Sequence, residues 1–212
     1  MRLPESLPAR MYLLAFDTDT NRLTSRSQLG MVLRAAALAE LYLTERVTDT
    51  GGRARAASDA RPTGDPVLDD LADQIAAHRP RAWHRWIGRH ERATVRAVRE
   101  QLEAGHHLTI EHRALLPDRV EPRDRHAVRQ YAETVRGALR QSPARTDPRT
   151  AAVLALAARG EVRTVVSRRE RREYRRTLDE LAVYTGPVAD ALRKAVQTKR
   201  TVAATTATAA GS

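Results

Sequence analysis

The chain has 212 residues, 42% hydrophobic but only 4% aromatic, with 37 Lys and Arg against 26 Asp and Glu and a formal net charge of +11. The lack of cysteine excludes a disulfide scaffold, a thiolate-held zinc and a thiol nucleophile. The basic balance points to an anionic partner, either nucleic acid or an anionic membrane surface.

A core short of aromatics must be built from Leu, Val and Ala, which favours helices. Residues 7–17, LPARMYLLAFD, read as a short helix stopping at DTDTN, and RLTS follows as a brief extended piece. Ser25 or Ser27 is placed to cap a long helix to about Leu43, with Leu29, Leu33, Ala37 and Leu41 on one face. Residues 47–57 read as a hairpin turning at Gly51-Gly52. In RPTGDPVLDDLADQI, residues 61–75, Thr63 or Asp65 caps a helix that starts at Pro66 and buries Leu68, Leu71 and Ile75. A short helix follows Pro80, another covers 92–104, and residues 106–120 alternate as a β-hairpin turning near Pro117. Helices are predicted over about 123–141, 147–158, 168–183 and 186–199. Residues 200–212 are small, polar and aperiodic, which predicts a disordered C-terminal tail.

The fold class expected is mainly α, a single-domain helical bundle over residues 1–199 decorated with short β-hairpins. No stretch has the order of a secretory signal. The longest near-apolar run, residues 31–41, is too short to span a bilayer and carries Arg34 and Glu40. A cytoplasmic protein is expected.

Catalytic and metal motifs are weak. Asp17, Asp19 and Asn21 follow the start of a calcium loop, but Arg22 and Gln28 stand where the loop needs Gly and Glu, so a polar turn is the better reading. His106 and His112 share strand parity without a third ligand, and no H-E-x-x-H, G-x-S-x-G, Walker or dinucleotide fingerprint occurs. No catalytic residue, metal or cofactor is therefore assigned. The arginines say more. Arg81, Arg85, Arg89, Arg92, Arg96 and Arg99 recur at helical gaps, forming one basic stripe if their helices are collinear, and RRERREYRR at 168–176 makes a second cluster. Arginine suits phosphate because its planar fork offers two parallel charge-assisted hydrogen bonds.

The successive segments LPARMYLLAFD, LGMVLRAAALAELYL, RPTGDPVLDDLADQI, the WI pair at 86–87 and VRAVREQLEAG resemble, in order, the Golgi phosphoprotein 3 family over about residues 5–198. The P-T-G-D run followed by a Leu-Asp pair is the most specific of them. The resemblance implies a helical domain with hairpins and a peripheral membrane protein that binds phosphatidylinositol 4-phosphate. In eukaryotes such proteins are adaptors between Golgi glycosyltransferase tails and vesicle coats. It places the lipid headgroup pocket at Arg34, Arg96 and Arg99, with Ser25 where the family has a tryptophan. Trp86 matches a family core position, and Leu115 and Leu116 stand at the tip of the family's membrane-contacting hairpin, flanked by Arg113 and Arg119. The short hairpin, the Arg/Ala bias and the lack of a long acidic N-terminal extension point to a bacterial homologue.

The partners expected are anionic phospholipid or phosphoinositide headgroups at a membrane surface, reached reversibly from the cytoplasm, with self-association through the 106–120 hairpin as a further option. A nucleic-acid-binding protein is the alternative. It is less favoured, because stacking aromatics are few and no DNA-binding motif is legible. Enzymatic function has no motif behind it.

Overall fold

The computed structural model describes residues 3–20, 22–58, 61–113 and 118–210. Its centre is set by two helices that are apolar on nearly every side, α2 (Arg26–Leu43) and α7 (Pro148–Arg159). Every residue of α2 from Leu29 to Leu41 is buried, as is every residue of α7 from Ala151 to Ala158. A helix with no polar face belongs in the middle of a molecule. Around α2 pack α1 (Leu7–Leu14), α3 (Pro66–Ala76), α4 (Trp83–Ile87), α5 (Glu91–Ala104) and α10 (Val188–Ala210). The expected class is correct: the protein is mainly α with short antiparallel hairpins.

Those hairpins are β1 (Phe16–Asp17) with β2 (Arg22–Leu23), β3 (Val47–Asp49) with β4 (Arg53–Ala56), and β6 (Leu108–Glu111) with β7 (Arg119–Pro122). The second gains a third strand, β5 (Arg81–Ala82), pairing Arg53 with Ala82 and Ala54 with Arg81. A two-residue strand leaves no alternation to read, so the sequence showed only the helix after it. The tip of the β6–β7 hairpin, with Leu115 and Leu116, lies outside the described residues.

The P-T-G-D run is a helix start. Asp65 accepts hydrogen bonds from the backbone N–H of Val67 and Leu68, and Pro66 takes the first helical position, where a missing N–H costs nothing. Asp69 closes the loop from inside the helix, accepting from Thr63 N–H at 2.6 Å, Thr63 Oγ1 at 2.7 Å and Gly64 N–H at 3.1 Å. Gly64 sits at φ +80°, a backbone region in which a side chain is strained. Asp65 also accepts from Gln101 Nε2 at 2.6 Å, which ties the motif to α5.

Two charges are buried inside α2. Glu40 is 4% exposed and accepts from Leu7 N–H at 2.6 Å and Arg149 Nη2 at 2.5 Å, so one carboxylate joins α2 to the start of α1 and to α7. Burial raises its pKa, with the Leu7 N–H and Arg149 pulling the other way. Close packing of α5 on α2 depends on Gly30, where a Cβ would stand 2.6 Å from Glu91 Cβ and 2.8 Å from Glu91 O.

Two expectations at the C-terminal end need correction. The helix predicted over 168–183 divides at Tyr174 into α8 (Arg168–Glu173) and α9 (Arg175–Leu181), followed by a 3-10 turn at Ala182–Thr185. The predicted tail is helical as far as Ala210, continuing α10. Alanine supplies helix propensity there without needing an apolar stripe, so an aperiodic pattern did not reveal it.

Candidate functional site

Arg34 points inward from α2 and is 2% exposed. Its Nε donates to the Trp86 carbonyl at 2.7 Å, Nη1 to Thr94 Oγ1 at 3.2 Å and Nη2 to Gln74 Oε1 at 3.2 Å. One guanidinium therefore ties α2 to α4, α5 and α3. Burial pushes its pKa down to about 10, opposed by Asp70, and Arg89 adds to the fall. It stays charged at neutral pH.

Arg34 and Arg96 line one cavity of about 600 Å³ between α2, α3 and α5. Asp70 and Glu100 line the same cavity, so two cations face two carboxylates and anions gain little there. Arg96 reaches toward solvent, its Nε 3.7 Å from Glu100 Oε1, with side-chain exposures of 73% and 64%. A pair this open is worth little.

Arg99 is elsewhere. It lines a separate cavity of about 690 Å³, walled by α1, β2, the start of α2, α5 and the β6–β7 hairpin. Arg22, Arg26, Arg113 and Arg119 line it too, and Asp118 is the one acid in that lining among the described residues. Asp118 is held by Arg99 Nη2 at 3.0 Å and lies 3.2 Å from His112 Nδ1. Arg22 has no acidic partner among the described residues, and Arg26 Nε donates to the Leu23 carbonyl at 3.2 Å. Arg113 is 3.7 Å from Glu111, and Arg119 bonds Glu121. Arg99 Nε is buried without a hydrogen-bond partner among the described residues, an orphan donor in an already cationic wall. Tyr12 forms another part of the wall. Burial raises its pKa to about 12, against the pull of Arg99 and Arg26, so its hydroxyl stays neutral.

Residues 7–198 match the family model of Golgi phosphoprotein 3. The chain belongs to the Golgi phosphoprotein 3 family. Among curated proteins none matches it. No described helix is long and apolar enough to cross a membrane.

Against the residues that the family resemblance selects, the structure makes a division. Arg34 and Arg96 share the charge-balanced cavity, whereas Arg99 belongs to the cationic one although it follows Arg96 by one helical turn. Ser25 lines neither. It takes the N-cap position of α2 in a left-handed conformation, φ 54°, without a capping hydrogen bond, and its hydroxyl donates to the Glu161 carbonyl at 3.0 Å. The expected side-chain cap from Ser25 is therefore absent. The continuous arginine stripe also fails, because α4 ends at Ile87 and His90 turns left-handed before α5 begins. Arg81 instead lies over the ring of the buried Trp86, 5.8 Å from its centroid.

Sequence reasoning missed Arg22 and Arg26. Their only local signal was a spacing of four, and because Arg22 lies in β2 while Arg26 opens α2, that spacing did not mark a shared face. Only the chain path across α5 and the hairpin brings them to Arg99.

Proposed function

We propose that this member of the Golgi phosphoprotein 3 family is a peripheral membrane protein that docks reversibly on anionic phospholipid. Phosphatidylinositol 4-phosphate is its leading headgroup, and an adaptor role would follow from that docking. The observation that carries this reading is the cavity lined by Arg22, Arg26, Arg99, Arg113 and Arg119, with Asp118 as its one acid among the described residues. A phosphate monoester carries close to two negative charges and several acceptor oxygens, which matches forked donors better than any neutral headgroup does. Each Lys or Arg held near an anionic leaflet contributes on the order of 1 kcal/mol, so this cavity suffices for reversible docking without a membrane span.

Arg113 and Arg119 belong to the hairpin whose apolar tip the resemblance assigns to membrane contact. The test is flotation of the full chain with vesicles of phosphatidylcholine alone and with added phosphatidylinositol 4-phosphate. Binding to the second and not to the first supports the reading. Equal recovery with both, or with neither, overturns it.

A further inference from the structure

The arginine-rich run RRERREYRR does not contribute to the Arg99 cavity. It folds as α8 and α9 beside the end of α7, where a cleft of about 420 Å³ is lined by Arg159, Arg168, Arg171, Arg172, Arg175 and Arg200. Ala158 and Leu178, both buried, line the same cleft. Two carboxylates share it. Glu161 is held by Arg171, with Nη1 at 3.3 Å, and by Arg200; Asp179 is held by Arg159 at 2.6 Å. Three guanidiniums are thus committed to two acids. The other three, Arg168, Arg172 and Arg175, follow one another at gaps of four and three, line the same cleft, and have no acidic partner among the described residues.

The cleft is also preorganised. Ser167 and Glu170 form a reciprocal capping box that fixes α8, and Glu170 lies 3.6 Å from Arg136. Arg171 Nη1 donates to the Ala158 carbonyl at 3.4 Å. The Glu161 backbone is left-handed at φ 58° and accepts the Ser25 hydroxyl, which anchors the acid that Arg171 and Arg200 share. These contacts fix the backbone and the two acids of the cleft, while the Arg168, Arg172 and Arg175 side chains stay exposed at its mouth.

We propose that this cleft is a second anion site, separate from the Arg99 cavity, that takes a phosphate-bearing ligand on Arg168, Arg172 and Arg175. The oxygens of such a group accept bidentate hydrogen bonds from the unpaired forks, while the two resident carboxylates stay neutralised by Arg159, Arg171 and Arg200. The proposal stands independently of membrane docking at Arg99.

Calorimetric titration of the full chain with inorganic pyrophosphate, at physiological salt, tests it. Saturable binding that persists in Arg22→Glu/Arg26→Glu, which disables the Arg99 cavity, is expected, and adding Arg172→Glu/Arg175→Glu to that variant should weaken it at least tenfold. All four positions are exposed, and an unchanged melting temperature checks the fold. In the same background, Arg172→Lys/Arg175→Lys keeps the charge and loses the forks, so an intermediate loss is expected. Repeating the titration with anionic vesicles present identifies the source of the phosphate: displacement of pyrophosphate assigns the site to lipid headgroups, and undiminished binding assigns it to soluble phosphates. No saturable binding, unchanged affinity when Arg172→Glu/Arg175→Glu is added, or binding already lost in Arg22→Glu/Arg26→Glu overturns the proposal. The last result would leave the Arg99 cavity as the anion site, so failure here and failure of the docking reading are distinguishable.

Discussion

Arg34 shows how a guanidinium aligned with a headgroup pocket can also be tied into the fold. Its place in α2 aligns it with a family headgroup residue, yet three helices take its hydrogen bonds and little of it meets solvent. Replacing it by Met leaves the Trp86 carbonyl without that donor and costs about 3 kcal/mol, the range for breaking a buried charged network. The expected outcome is a lower denaturant midpoint for Arg34→Met with anionic-vesicle binding kept by the folded fraction. Vesicle binding lost at unchanged stability would place Arg34 on the ligand instead. A second residue, Glu161, carries a pH signature. Burial pulls its carboxyl upward, but bonding to Arg200 and Arg171 more than offsets this and holds the pKa below 4.5, its unperturbed value. A lowered folded pKa contributes stability that is complete above about 4.5 and is lost as pH falls through the folded value. Glu161→Gln should therefore lower the melting temperature at pH 7, by the equivalent of about 1–2 kcal/mol. The gap to wild type should close in strong acid. A gap that persists unchanged to pH 2 would contradict the ion-pair account.

At the scale of elements, most of the fold was legible, whereas of the cationic cavity Arg99, Arg113 and Arg119 were named from sequence and Arg22 and Arg26 were not. Periodicity found α2, α3, α5 and α7 because each buries a stripe or a whole surface of apolar residues, and the Asp65-Pro66 start was readable from cap chemistry alone. Missing were β5, the break at Tyr174 and the end of α10, where strand length or helix propensity supplies no pattern. The cationic cavity depends on which elements meet across α5, information that spacing along one helix does not contain. Contact between α5 and α2 rests on Gly30, so Gly30→Ala should destabilise by about 1–3 kcal/mol, since Glu91 backbone must move to admit the methyl group. Removing the Asp65 cap with Asp65→Ala should cost about 1 kcal/mol. Chemical denaturation checks both, and a neutral Gly30→Ala would mean that the two helices have slack.

Across the whole molecule, the excess positive charge is not spread evenly over its concave surfaces. It is balanced where Arg34 and Arg96 lie and concentrated around Arg99 and again beside α8 and α9. That unevenness separates docking through a shaped cavity from general attraction of a +11 protein to any anionic surface, which salt would screen throughout. The most direct measurement compares two variants with the same change in net charge, Arg22→Glu/Arg26→Glu in the cationic cavity and Arg92→Glu/Arg96→Glu outside it. The vesicles contain phosphatidylinositol 4-phosphate at physiological salt. All four side chains are on exposed residues, so folding should survive in both. The cavity account predicts at least a tenfold loss of partitioning for the first pair, as about 1 kcal/mol or more per reversed charge implies, and a several-fold smaller loss for the second. Equal losses, or a greater loss for Arg92→Glu/Arg96→Glu, would contradict it.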